Sequence, residues 1–543
     1  MRVVSSVYVL FSILLLSLIM LIIGVFFRHS PKNIVKLFYN SGIFVIICSL
    51  LYFYQINNIK PHYNHFLFNN SIYISSSDLI ILFFFLILWG ISMIITANWI
   101  DKIRSLNDNN NNNIINNNKN NNKNFINSHN TYQTPYNNTS NILTFEIPGL
   151  LLLCAFILSL LILVNDMMTA YLAIEASSLI MYPIIVCYSE SKNKRIYALE
   201  GVIKYFIFNG VMSVFYLAGV AMLYFEVNSI NILEIESKNF IDNLNTLFLS
   251  KDKISLISHI GGLMILISIS GKIGLAPLHF WTLDLYQSAP TFVMLFLSSA
   301  NKIAFVSFFI KIFLSPTFLS FKIHDIIWTL SIISLVIGSL GGIMQSNIKR
   351  ILAYSTIYNL AFISLIITSY GFRISDNLIS SSEFIKHKSI HYTIIYFGAI
   401  AMPSFLTLLI LEFKTNNTYY NINDIKNIGK SHPFIAFCLT ILLLSMAGLP
   451  PFAGFIIKFE TLQLLLRSEM YWTIGIILIT SSISVFYYLR IISFIYFPNT
   501  KNYLVDKDKI LQSDTNQIKN YNFSEIFLFF ATMFNILYIV FWY

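Results

Sequence analysis

The stretch Gly262-Leu-Met-Ile-Leu-Ile-Ser-Ile-Ser-Gly-Lys272-Ile-Gly-Leu-Ala-Pro277-Leu-His279 decides the fold of this 543-residue chain. Its apolar run is typical of a transmembrane helix, yet it contains a lysine and, shortly after it, a proline. Proline removes a backbone hydrogen bond from a helix, and freed backbone groups at membrane depth are tolerated only beside protein or a water-lined cavity. The stretch therefore predicts a broken transmembrane helix with a lysine near the break.

The composition of the whole chain indicates a membrane protein. Hydrophobic residues make up 56% of it and charged residues 11%, whereas soluble domains average about 25% charged residues. The mean hydropathy is +0.68. Apolar runs of about 20 residues, the length that crosses a bilayer, recur along the chain without the polar–apolar alternation of barrel strands. We therefore predict an all-α polytopic membrane protein with about 14 transmembrane helices.

These runs are called spans 1 to 14 in chain order. They lie near residues 7–27, 37–56, 79–99, 144–164, 167–187, 203–225, 255–277, 289–313, 326–346, 350–370, 391–411, 434–452, 471–496 and 524–543.

The division of the chain into segments follows from these runs and from an asparagine-rich tract. The tract cannot bury apolar surface, so we predict it to be a disordered loop. The predicted segments are 1–100 (three helices), 101–143 (the asparagine-rich loop), 144–313 (spans 4 to 8), 326–496 (spans 9 to 13) and 497–543 (a loop and span 14).

Several classes of site are absent from the sequence. The four cysteines form no CxxC pair, and neither GxGxxG nor GxxxxGK occurs, so no standard nucleotide or iron–sulfur motif is present. The pairs His62/His65 and His387/His391 have metal-compatible spacing, but no carboxylate or thiol completes either set. The net charge is +10, and the basic residues lie mostly in short loops between the spans. This distribution indicates that they set the orientation of the chain in the membrane rather than bind nucleic acid. We expect no cofactor and no metal in this chain.

The basic residues are more frequent in the loops that follow odd-numbered spans. Because cytoplasmic-type loops carry the excess of lysine and arginine, this asymmetry predicts that both termini lie on the outer side of the membrane.

A second break is predicted in span 12, which reads Gly448-Leu-Pro450-Pro451-Phe-Ala-Gly-Phe-Ile-Ile-Lys458. Its Gly-Leu-x-Pro string matches the one that begins at Gly274, and a lysine accompanies each string. Interrupted spans in corresponding positions indicate an internal repeat with an ion path at the breaks.

Charged residues inside spans are costly and are usually functional. Glu175 lies at the centre of span 5, and Lys204 lies near the start of span 6; they predict an ion pair, either functional or purely structural. His279 follows the first break and is either a proton carrier or a buried structural histidine. Lysine suits reversible proton carriage because burial lets it lose its proton, which arginine does not do. We call the following set the charged row: Glu175, Lys204, Lys272, Lys302 and Lys458.

Four stretches resemble the antiporter-like membrane subunits of respiratory complex I, and specifically the NADH dehydrogenase (ubiquinone) subunit 2 family. The likeness covers about 144–496. The stretches are Tyr171-Leu-Ala-Ile-Glu175-Ala-Ser-Ser-Leu, Lys272 to Thr291, Gln345-Ser-Asn-Ile-Lys349-Arg350-Ile-Leu-Ala-Tyr354-Ser355, and Leu443 to Phe459.

The resemblance implies two inverted five-helix repeats with broken helices 7 and 12, and a proton path along the charged row. It implies that Glu175 and Lys204 form the coupling pair, that Lys272 is the central proton acceptor, and that Lys302 and Lys458 continue the path. Two positions depart from the family, which usually has glycine at Ser288 and histidine at Asn359.

The resemblance also implies a subunit of an NADH:ubiquinone reductase that performs no redox chemistry itself. NADH, FMN, iron–sulfur clusters and ubiquinone are then bound by other subunits, which are the expected partners together with membrane lipids such as cardiolipin. The Ile/Phe/Asn/Lys/Tyr bias is typical of an AT-rich organelle genome, so we expect the mitochondrial inner membrane.

Three alternatives remain open from the sequence. The chain could belong to a related multi-subunit cation/proton antiporter, or be the antiporter-like subunit 4 of complex I. It could also be a membrane scaffold in which the charges only hold helices together.

Overall fold

The computed structural model describes most of the chain. The described residues are 2–26, 31–58, 65–67, 70–121, 146–187, 192–234, 256–315, 323–371, 378–415, 421–426, 428–497 and 523–542.

The described residues form helices and one small hairpin, in which β1 (His65–Leu67) pairs antiparallel with β2 (Ile72–Ile74). The helices up to the first break and the short helices after it are α1 (Arg2–Phe26), α2 (Pro31–Asn58), α3 (Ser76–Asn121), α4 (Ile147–Leu163), α5 (Met167–Cys187), α6 (Lys192–Val227), α7 (Leu256–Ile273), α8 (Phe280–Ser288), α9 (Thr291–Leu295) and α10 (Asn301–Phe313). The remaining α-helices are α11 (Ile323–Met344), α12 (Ile348–Gly371), α13 (Leu378–Thr393), α14 (Met402–Thr415), α15 (Ile428–Ser431), α16 (Pro433–Ala447), α17 (Ala453–Arg467), α18 (Tyr471–Tyr496) and α19 (Phe523–Trp542).

The predicted membrane architecture is confirmed. Within the described residues, nine helices or helix series are long and apolar enough to cross a membrane, and five shorter apolar helices accompany them. Each of these elements overlaps one of the predicted spans. The all-α polytopic fold is therefore the one that the hydropathy of the sequence indicates.

Two spans are interrupted where the sequence predicts it. Helix α7 ends at Ile273, Gly274 follows with φ 92°, and the helical path resumes only at Phe280. Helix α16 ends at Ala447, and Gly448 has φ 81°. Glycine adopts positive φ without the steric cost that a Cβ brings, so these two glycines allow each helix to end abruptly inside the bundle.

Two further irregularities were not predictable from composition. A π-helix at Phe296–Ala300 joins α9 to α10 in span 8, and another at Ile394–Ala401 joins α13 to α14 in span 11. Such π-bulges free carbonyls and are frequent at functional sites. In the second one, the Asn535 amide of α19 donates to the Ala399 carbonyl over 2.7 Å.

The prediction that 101–143 is a disordered loop is wrong for its first part. Helix α3 continues from span 3 through the first asparagines to Asn121. Once a helix has formed, each added residue gains a hydrogen bond without repeating the cost of nucleation, which lets α3 extend into poor helix formers. Residues 122–145 lie outside the described part of the chain.

The centre of the bundle lies between the two interrupted spans. The apolar windows of the span at Thr291–Phe313 and of the span at Ile348–Ser369 are fully buried, whereas two thirds of the window in α18 is not. Spans 8 and 10 therefore form the interior of the bundle, and Lys302 of the charged row lies on span 8.

Candidate functional site

The central ion pair joins Lys272 to Glu175. Lys272 occupies the last turn of α7 and donates from Nζ to Glu175 Oε1, on α5. The Lys272 side chain is 4% exposed and the Glu175 side chain 23% exposed. A buried charge is tolerated when it is paired and hydrogen-bonded. Each of these two residues therefore stabilises the charge of the other inside the membrane.

The predicted pairing of Glu175 with Lys204 is therefore wrong. Lys204 Nζ lies 2.9 Å from Glu200 Oε1 and 2.9 Å from Asp284 Oδ2. Glu200 is one turn earlier on α6, and the break after α7 brings α8, with Asp284, to the same end of the bundle. The Lys204 side chain is 47% exposed, so this lysine lies at the periphery rather than at the centre.

Asp284 is a member of this network that sequence reasoning misses. It also accepts a hydrogen bond from the Arg350 guanidinium, with 2.7 Å between Nη2 and Oδ1. Asp284 thus ties α8 to α6 and to the start of α12. No spacing rule connects these residues, because the chain reaches them only by folding back at the break.

Lys302 caps the helix that ends at the first break. Its Nζ donates to the carbonyl of Ile273, the last residue of α7, and lies 5.4 Å from the Trp281 ring centroid. Lys302 is 5% exposed. The carboxyl end of a helix carries a partial negative charge and unpaired carbonyls, which favour a cation at this position.

Lys458 makes the same arrangement at the second break. Its Nζ donates to the carbonyls of Met446, at 2.7 Å, and Ala447, at 3.1 Å, which end α16. The amine also lies 5.2 Å from the Tyr358 ring centroid. Lys302, not Lys272, is thus the structural counterpart of Lys458, although the sequence places Lys272 beside the matching Gly-Leu-x-Pro string.

Lys272 and Lys302 line one small cavity, which has room for about one water molecule. Its walls include Ser178, Asn209 and Asn301, so hydroxyl and amide groups surround the two amines. A single water could then bridge donors and acceptors between the lysines.

A buried network on span 10 lies between the two breaks. The hydroxyl of Ser355 lies 2.5 Å from Tyr488 Oη and 3.3 Å from Tyr396 Oη. Asn359 donates to the Ser355 carbonyl over 2.7 Å and accepts from the Tyr392 hydroxyl over 3.3 Å. Asn359 therefore keeps a polar contact at the position where the resemblance leads us to expect histidine, but an amide does not take up a proton.

His279 lies between the break and α8 and is 3% exposed. Its ring stacks on Phe280 at a centroid distance of 4.7 Å and lies 6.2 Å from the Tyr354 ring. These two contacts are aromatic. Its part in proton transfer stays a prediction.

A second group missed by the sequence reasoning surrounds Glu460 on α17. Glu460 Oε1 accepts a hydrogen bond from Lys388 Nζ at 2.7 Å, and Oε2 lies 3.4 Å from His391 Nδ1. The Tyr538 hydroxyl lies 2.5 Å from His391 Nε2. The three helices involved are distant in sequence, which explains why no motif reveals the group.

The comparisons with known proteins agree with this arrangement. Residues 164–484 match the transmembrane family described as NADH:quinone oxidoreductase/Mrp antiporter. The chain belongs to this family. The matched region contains every member of the charged row and both breaks.

Bacterial relatives in this family are similar in sequence. The NADH-quinone oxidoreductase subunit N of Neisseria gonorrhoeae is 30% identical over 374 residues, which are 68% of this chain and 71% of the relative. Subunit N of Ruthia magnifica is 32% identical over 373 residues, 68% of this chain and 72% of the relative.

Solved structures share the fold at low identity. A chain of respiratory complex I from Thermus thermophilus superposes with a TM-score of 0.66 at 17% identity, covering 97% of both chains. A chain of the Mrp complex from Dietzia has a TM-score of 0.67 at 13% identity, covering 90% of this chain and 80% of the other.

Proposed function

We propose that this chain is the proton-translocating membrane subunit of a respiratory NADH:quinone oxidoreductase, equivalent to NADH dehydrogenase subunit 2. The observation that supports it most strongly is a buried series of protonatable groups at two helix breaks. Lys272 pairs with Glu175 beside the first break, and Lys302 and Lys458 each bind carbonyls at the end of a broken helix.

The chemistry of these groups suits transfer of protons. A buried ammonium is held by the partial charge of a helix end, and a lysine, unlike an arginine, can release its proton. In this proposal each lysine gains and loses a proton in turn, and a change in charge at one lysine alters the electrostatic balance at the next. A change at the Glu175–Lys272 pair, driven from a neighbouring subunit, would start this sequence.

Redox chemistry takes place elsewhere in this proposal. NADH, FMN, iron–sulfur clusters and ubiquinone are bound by other subunits of the oxidoreductase, and those subunits are the partners of this chain. Its apolar outer surface contacts lipids, with cardiolipin as a candidate, and it binds no nucleic acid.

The proposed location is the mitochondrial inner membrane, with both termini on the intermembrane-space side. The basic residues in the loops support this orientation. The Ile/Phe/Asn/Lys/Tyr bias of the amino-acid composition is typical of an AT-rich gene and supports an organelle genome. In this orientation Lys204, Asp284 and Arg350 lie at the inner end of the bundle.

A second candidate is a subunit of a cation/proton antiporter. The family includes Mrp antiporters, and the fold matches a chain of the Mrp complex from Dietzia. This function requires transport without NADH or quinone.

Affinity purification of the full chain from its native membranes tests the proposal. We expect co-purification of redox subunits, NADH:quinone reductase activity, and proton uptake into proteoliposomes that depends on NADH. Recovery with antiporter subunits only, and cation-driven proton exchange without NADH, would support the second candidate and contradict the first.

A further inference from the structure

The group around Glu460 combines three helices at the end of the bundle opposite to Asp284. Arg350 begins α12 next to Asp284, and α13 starts where α12 has crossed to the other end. Lys388 and His391 of α13 therefore lie at the outer end in the proposed orientation. Glu460 of α17 and Tyr538 of α19 meet them there.

The exposure of these side chains rises from the interior towards the surface. The Glu460 side chain is 8% exposed, that of Lys388 is 32% exposed and that of His391 is 38% exposed. A buried carboxylate is thus in contact with an imidazole that reaches the surface of the chain. This gradient is what a path from a buried site to the surface requires.

The group is linked to Lys458 along α17 and, by way of the Phe362 ring, to α13. Glu460 follows Lys458 by two residues on α17. On α13, Tyr392 follows His391, and its ring stacks on Phe362, whose centroid lies 5.6 Å from Lys458 Nζ. Helix α17 therefore carries both Lys458 and Glu460, and Tyr392, the neighbour of His391 on α13, packs on the Phe362 ring that borders Lys458.

We propose that Glu460, His391 and Tyr538 form the site where protons leave Lys458 for the outer surface. This proposal rests on the proposed function. Because residues two positions apart on a helix do not face each other, this proton passes through water. The Lys458 ammonium loses one proton to water and the Glu460 carboxylate gains one from water, which leaves a neutral amine and a neutral acid. The acid returns to carboxylate when the proton passes to His391 Nδ1, which makes the ring an imidazolium. The imidazolium then releases the proton on Nε2, either directly to solvent or through the Tyr538 hydroxyl, which accepts that proton while giving its own to solvent.

A purely structural ion pair is the competing explanation. Such a pair needs only Lys388 and Glu460 to hold α13 against α17. It gives no role to the imidazole, which has one ring nitrogen facing Glu460 and the other facing Tyr538, or to the tyrosine hydroxyl beside it. Variants of His391 and Tyr538 separate the two explanations because they leave the Lys388–Glu460 hydrogen bond in place.

The test measures protons per electron pair in proteoliposomes that contain the whole purified oxidoreductase. Glu460→Gln, His391→Gln and Tyr538→Phe are compared with Lys272→Met. The matched controls are Glu525→Gln, a buried acid at the other end of α19, and Tyr471→Phe, which is 65% exposed. Electron transfer is measured separately with the gradient dissipated.

We expect Glu460→Gln and His391→Gln to retain electron transfer and to lose as many protons per electron pair as Lys272→Met. Tyr538→Phe should lose fewer, because solvent can replace its hydroxyl. Glu460→Asp should restore part of the loss. If the Glu460→Gln enzyme does not assemble, the number of protons per electron pair in His391→Gln distinguishes a release site from a structural ion pair.

Wild-type proton yield in assembled Glu460→Gln and His391→Gln, with a loss in Lys272→Met, would overturn the release site and leave the proposed function standing. Wild-type yield in Lys272→Met as well would overturn the proposed function itself.

Discussion

Lys272 donates to Glu175, whereas Lys204 binds Glu200 and Asp284. The charge pair at the centre of the bundle is thus formed by spans 5 and 7, and the break in span 7 follows Lys272 directly. A shift of the broken segment can therefore change the pair, since α7 ends at Ile273. Lys302 caps the same end of α7. In the proposed path, Lys302 therefore connects the Glu175–Lys272 pair to the residues that follow.

The first prediction concerns Lys204. We expect Lys204→Met to reduce proton pumping much less than Lys272→Met, because the Lys204 side chain is 47% exposed and lies away from Glu175. Pumping by the two assembled variants is compared at equal electron-transfer rates. An equal loss in both would show that Lys204 is part of the central pair after all.

The second prediction concerns the lysine at the second break. Lys458→Met should abolish pumping through this chain, and it should lower stability, because buried acceptors left without a donor cost about 1–3 kcal/mol each. Thermal inactivation of the purified oxidoreductase measures the second effect. Lys430→Met, at an exposed lysine, is the control and should change neither quantity. A stable, fully active Lys458→Met enzyme would contradict the capping role.

The third prediction concerns the glycine of the same break. In Gly448→Ala, the new Cβ would lie 2.7 Å from Lys458 Cδ, at a residue with φ 81°. The left-handed conformation alone costs an alanine roughly 1–2 kcal/mol, and the lysine must also move. We expect lower thermal stability and reduced pumping.

Gly475→Ala is the matched control for this variant, because an added Cβ there meets no atom within 4 Å and the residue lies inside α18. Alanine favours helix over glycine by about 1 kcal/mol, so the control should be neutral or slightly stabilising. Equal behaviour of the two variants would show that the break tolerates a side chain.

The sequence predicts the spans and both breaks because these depend on local properties. Continuous apolar runs identify helices that cross the membrane, and Gly274, followed by Pro277, and Gly448, followed by Pro450 and Pro451, mark where a helix ends. Residue type likewise identifies candidate functional residues, because burying a charge inside the membrane costs free energy. These residues are Glu175, Lys272, Lys302 and Lys458.

Partners are less predictable because they depend on packing between distant helices. The sequence favours Lys204 for Glu175 since both lie on neighbouring spans, but the break brings Asp284 to Lys204 instead. The sequence also contains no motif that reveals the group around Glu460. This residue follows Lys458 on α17 and contacts Lys388 and His391 only in the folded chain. Neither π-helix has a composition that distinguishes it from its flanking helices.

The most direct test of the account is the proton yield of Lys272→Met and Lys272→Arg in the assembled oxidoreductase, reconstituted into proteoliposomes and driven by NADH. Methionine keeps an unbranched side chain of similar size but cannot be protonated, and arginine keeps the charge but does not release its proton. We predict that both variants retain NADH:quinone reduction and lose the protons that this chain moves. A wild-type proton yield in either assembled variant would contradict the claim that protons pass through Lys272.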